Sequence, residues 1–142
     1  MNKFSYLKNL VQEINHSGRS FYDHLYETGL LLYKMGEPEY ICDAGLYHSI
    51  YDTSYFKANL NVDRDTIKQL IGEKSEYLVY TFCNLGEDRI STLLNSNEIP
   101  KDIHTDLLKI EYANLIEQNS PSQNIGNLVQ KIQQKLFIFL YQ

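Results

Sequence analysis

Three of the four histidines, His16, His24 and His48, fall in one early stretch of the chain, with Arg19, Glu27 and Asp52 among them. Imidazoles suit a divalent transition metal, most of all when a carboxylate joins them. Gly36-Glu37-Pro38 makes a reversing turn between His24 and His48, so their two segments fold back as an antiparallel pair and the rings approach one end of it. Arg19 brings a guanidinium fork that grips phosphate or carboxylate bidentately. Glu27 follows His24 by three residues on the same predicted helix face, as a ligand or supporting acid. Asp52, four residues after His48, can turn inward as a catalytic acid or base, and Tyr51 beside it can line a polar pocket.

The elements that must position these groups are helical. Phe4, Leu7, Leu10, Val11 and Ile14 follow a helical period over residues 3–14. Ser20 can cap a second helix, with Asp23 in the place where a capping box takes an acid, and the apolar period runs on to Gly36. Pro38 sits in the first turn of a third helix that reaches residues 48–50. Residues 52–61 read as a loop. Further helices are predicted over 63–71, 75–85, 88–94, 100–117 and 125–141, with Ser120-Pro121-Ser122 breaking the chain before the last. No period-two run bounded by hairpin dipeptides competes with these. The expectation is one all-α domain over residues 1–142, a bundle of six to eight helices.

The bulk composition excludes several classes. A net charge of −5 without a dense basic run argues against nucleic-acid binding as the main activity. Cys42 and Cys83 are too few and too far apart for a disulfide framework or a CxxC zinc module. No apolar run is long enough to span a membrane and no leader pattern opens the chain, so a cytoplasmic protein is expected. The apolar C-terminal helix either completes the core or pairs with a second copy, which leaves a homo-oligomer open. There is no glycine-rich phosphate loop, GxSxG elbow, HExxH or deaminase signature. His104 has no partner in sequence and reads as structural or exposed.

The segments HSGRSFYDHL and AGLYHSIYDTSYF resemble the front half of an HD-superfamily domain. They are closest to an uncharacterised branch in which the adjacent His-Asp pair reads His-Ser. The resemblance covers about residues 16–118. It implies His24 as the first histidine, His48 as the histidine of the pair, Glu111 as the closing acid and His16 as a spare ligand. The departure is Ser49 where the superfamily has Asp. A neutral hydroxyl binds a divalent cation far more weakly than a carboxylate, so a mononuclear rather than a binuclear site is expected. Asn114, on the Glu111 face, would orient a ligand or substrate, with Ser49, Tyr51 and Glu27 around it.

Three functions compete on these grounds. The first is a metal-dependent hydrolase of a phosphate ester or nucleotide-like small molecule. It would use Fe, Mn or Zn on His24, His48 and Glu111, with Arg19 and Asp52 acting on an anionic substrate. The second is a small-molecule binding module that has lost its metal. The third is a non-haem iron oxygenase.

Overall fold

The computed structural model describes residues 2–16, 18–118 and 125–141. Helix α1 (Lys3–Val11) opens on Asn2, whose side chain accepts from the Ser5 amide. A two-strand hairpin follows, β1 (Asn15–His16) and β2 (Arg19–Ser20), which places His16 opposite Arg19. The sequence pattern did not predict this hairpin, because two-residue strands carry no periodicity. Gly18 at φ 80 supplies the left-handed residue its turn needs.

Seven more helices are described: α2 (Phe21–Lys34), α3 (Glu39–Leu46), α4 (Arg64–Ile71), α5 (Glu73–Cys83), α6 (Arg89–Asn95), α7 (Lys101–Gln118) and α8 (Ile125–Leu140). The domain is all-α apart from the small hairpin. Ser20 caps α2 by accepting from the Asp23 amide at 3.0 Å, and Asp63 caps α4 through Thr66. Pro38 turns out to be the N-cap of α3 rather than a residue of its first turn. The expected break at Ser120-Pro121-Ser122 lies outside the described residues.

Helix α7 is the centre of the bundle. Residues are buried on several of its sides, among them Ile103, Leu107, Ile110, Ala113 and Leu115, as befits a helix surrounded by others. Helices α2, α3, α5, α6 and α8 all pack on it. The closest pairing is the α2–α3 hairpin. A Cβ on Gly29 would stand 3.2 Å from the Cys42 carbonyl oxygen, and one on Gly45 would stand against Leu32 Cδ1, so both glycines let the helices approach closely. Tyr47, fully buried just after α3, donates its hydroxyl hydrogen to the Lys3 carbonyl at 2.6 Å and ties down α1. Among the described residues no helix is long and apolar enough to cross a membrane.

Candidate functional site

Where α2, the turn after α3 and the C-terminal half of α7 meet, two imidazoles face each other. His24 Nε2 and His48 Nε2 are 3.3 Å apart, and both side chains are almost wholly buried. His48 Nδ1–H donates to the Gly45 carbonyl at 2.7 Å. A carbonyl only accepts, so this nitrogen carries the proton. Burial, reinforced by the nearby His24, holds the His48 pKa well below 6.5 and the ring neutral. Its Nε2 is therefore a lone pair aimed at His24.

The same logic fixes His24. Its Nδ1 lies 2.8 Å from Glu117 Oε1, and the other carboxylate oxygen accepts from Arg19 Nη1 at 2.7 Å. Burial raises the Glu117 pKa, and the Arg19 guanidinium works against that rise by favouring the ionised carboxylate. An ionised carboxylate accepts, so Nδ1 again carries the hydrogen. Burial, with Arg19 pushing the same way, lowers His24 to about 4. Two lone pairs thus point into one gap, each locked from behind by an acceptor that sets the tautomer.

Asn114 brings a third donor atom. Its Oδ1 stands 3.1 Å from His48 Nε2, while its Nδ2–H donates to Glu111 Oε1 at 2.8 Å. Glu111 in turn is gripped by Arg89 through two hydrogen bonds, and the Arg89 guanidinium lies 4.7 Å from the rings of both Tyr55 and Phe82. The amide cannot turn over without setting its oxygen against a carboxylate. Its oxygen is therefore presented to the imidazoles.

His16 lies flat on His24, ring centroids 4.5 Å apart and planes 9° from parallel, with the Phe56 edge at 4.5 Å. Burial, then the neighbouring His24, lowers it to about 4. Its Nδ1 is the one buried side-chain nitrogen or oxygen among the described residues without a hydrogen-bond partner. Such an atom costs about 1–3 kcal/mol if nothing satisfies it. Phe21 packs on Phe56, and Phe82 meets the His48 ring edge-on, so the gap between the imidazoles has apolar walls.

The remaining expected residues are placed elsewhere. Glu111, the expected closing acid, is committed to Arg89 and reaches the imidazoles only through Asn114. Asp52 sits at φ 70 and accepts from the Ala58 and Asn59 amides at 2.9 and 3.1 Å, so it shapes the following loop. Tyr51 donates to Glu76 at 2.7 Å, a carboxylate that also takes Arg64. Glu27 is exposed, away from the buried His24 side of α2. Ser49 is buried beside His48, and its carbonyl accepts from the Asp52 amide. Arg19 is near the imidazoles, held by Glu117. His104 is buried and bonds through Nε2 to the Leu93 carbonyl, a structural place.

Glu117 is the residue that sequence reasoning missed. It lies on α7 six positions after Glu111, and only the way α2 crosses α7 decides which acid meets His24. Arg89 was missed as well.

The donor set can be tested against a metal ion. Two nitrogens each about 2.0–2.1 Å from one tetrahedral ion stand roughly 3.3–3.4 Å apart, and the observed gap agrees. His24 and His48 therefore fit as two neutral donors, with the Asn114 oxygen beside them, 3.1 Å from His48 Nε2. Glu111 does not fit, and no group of three or more His, Cys, Asp or Glu gathers around one point among the described residues.

A profile for the domain of unknown function DUF6817 matches residues 7–87, more than half of the chain. The chain belongs to that family. No curated protein and no solved structure matches it. The DUF6817 match contains His16, Arg19, His24 and His48 but stops short of Arg89, Glu111, Asn114 and Glu117. The site is thus built partly from residues beyond the matched segment.

Proposed function

We propose that this domain holds one divalent transition-metal ion at His24 and His48, with Asn114 as third donor, and hydrolyses a phosphate ester or nucleotide-like small molecule there. The observation that carries this reading is the pair of Nε2 lone pairs, each fixed by a hydrogen bond on the far side of its ring and converging across 3.3 Å. Two lone pairs buried face to face repel each other unless a cation or a proton lies between them. Their depressed pKa values disfavour the proton.

The charge balance points to the substrate class. Glu117 is neutralised by Arg19 and Glu111 by Arg89, so the three donors leave a dication uncompensated. A buried dication requires an anion. An anionic ligand such as a phosphate ester meets that need. A bound ion would supply Lewis acidity and a coordinated water of lowered pKa.

The chain's own residues do the rest. Glu117 holds the proton on His24 Nδ1, and the Gly45 carbonyl holds it on His48 Nδ1. Arg19, part exposed, is the group best placed to meet an incoming anion, and Phe21, Phe56 and Phe82 limit the water around the rings. The HD-superfamily resemblance is consistent with this reading, with Asn114 taking the closing position first given to Glu111.

A second reading, a metal-free module binding a small anion, is favoured by one observation: none of the three donors is a carboxylate. Elemental analysis of protein purified without chelator or nickel, alongside His48→Ala, separates the two. Near-stoichiometric metal that is lost in the variant, together with release of phosphate from a model ester, is the expected result. Iron with oxygen uptake would turn the assignment to an oxygenase. Protein that stays metal-free after anaerobic reconstitution with iron, manganese and zinc would leave the binding module.

A further inference from the structure

On the other side of the α2–α3 hairpin lies a groove of about 640 Å³. That volume is in the range of small-molecule sites, about 300–1,000 Å³. At about 100° per residue, Tyr26 and Tyr33 stand about 200° and 180° round α2 from His24, so the groove is separate from the imidazole site. Its walls combine two chemistries. Phe4, Tyr26 and Tyr33 line it with aromatic surface, and all three are substantially exposed, Tyr33 the most at 63%. Opposite them, α3 contributes Glu39 and Asp43.

The groove already binds an ammonium group, its own. Lys3 Nζ lies 2.7 Å from Asp43 Oδ1 and 3.0 Å from Glu39 Oε1, with the Phe4 ring centroid at 5.7 Å. A third lining carboxylate, Glu37, is paired from outside with Lys109. With Glu37 matched by Lys109, two carboxylates, Asp43 and Glu39, face the one ammonium of Lys3, a surplus of one negative charge. Aromatic faces beside carboxylates attract a cation with an apolar body, through cation–π contact and charge-assisted hydrogen bonds together.

We infer that this groove is a binding site for a small organic cation, a primary amine on an aromatic or aliphatic body. The body lies against Phe4, Tyr26 and Tyr33, and the amine shares Asp43 and Glu39 with Lys3. Lys3 is then an internal competitor. Removing it frees two carboxylates for the ligand, which a merely apolar cleft would not register.

Calorimetric titration with tryptamine, and with indole-3-propionate as its charge-reversed counterpart, tests this in the wild type, Lys3→Ala and Tyr33→Ala. Saturable tryptamine binding is expected, with the acid bound about tenfold more weakly or worse. Tyr33→Ala, at an exposed position that the fold does not need, should weaken tryptamine about fivefold. Lys3→Ala should tighten it about tenfold. Equal binding of amine and acid, no saturable binding in both wild type and Lys3→Ala, or weaker binding in Lys3→Ala would each overturn the assignment.

Discussion

Two arginine–glutamate pairs support the imidazoles, one from each side, and they differ in their contact with water. Arg89 and Glu111 are sealed, with 10% and 0% of their side chains exposed, and two aromatic rings flank the guanidinium. Arg19 and Glu117 do the same job for His24, but the Arg19 side chain is 40% exposed. In the sealed pair neither partner can leave without stranding a charge, so it works as a fixed bracket for the Asn114 amide. In the wet pair Glu117 is only 9% exposed, so the arginine keeps its carboxylate and offers an incoming anion the face it turns to water. Similar residues thus give a rigid support on one side and an approachable one on the other.

The largest expected effect comes from breaking the sealed side. Glu111→Ala leaves the Arg89 guanidinium buried without its partner and should destabilise the fold by about 3–5 kcal/mol, read from urea unfolding. A loss below about 1 kcal/mol would mean that Arg89 reaches solvent and that the two sides are alike.

Acid should act next, through the rings between the brackets. His16 and His24 titrate at about 4 in the fold, and burial holds His48 well below 6.5, the value of an ordinary histidine. The unfolded chain therefore binds more protons below 6.5. The stabilisation from His16 and His24 is complete above that pH, declines as pH falls, and is gone below about 4. Urea midpoints of the metal-free protein should hold from pH ~7.5 to ~6.5 and then fall toward pH ~4.5. A flat profile would show hydrated rings.

On the wet side, Glu117→Gln keeps the shape and removes the charge that fixes the His24 proton. Metal affinity should drop about 10–100-fold while the unfolding midpoint moves little. Unchanged affinity would mean that His24 needs no such support. Arg19→Ala is the mildest change. It should cost about 1 kcal/mol, since Arg19 is 40% exposed but the Glu117 it leaves unpaired only 9%, and weaken inorganic phosphate binding in a way that added salt reproduces. Phosphate binding untouched by Arg19→Ala would remove the approachable role given to that side.

Most of the helices were legible because they have an apolar period or carry a polar start or a glycine stop. Ser20 and residue 63 mark starts that the structure keeps. The meeting of His24 and His48 was legible too, since one short turn joins their segments. The acid was not. Glu111, Asn114 and Glu117 recur at intervals of three along α7, and their identities do not say which reaches an imidazole. That depends on the angle and height at which α2 crosses α7, which non-local packing decides. Asp52 was misjudged for a related reason, because a carboxylate near a histidine in sequence was claimed first by the backbone amides of its own loop.

The close approach at Gly29, where a Cβ would stand 3.2 Å from the Cys42 carbonyl oxygen, has a mechanical consequence. At that level the spacing of α2 and α3 is set by main chain against main chain, which does not compress. The hairpin is then a stiff blade with the histidine gap on one edge and the aromatic groove on the other. A methyl group added at residue 29 acts as a thin shim that the backbone of α3 must yield to.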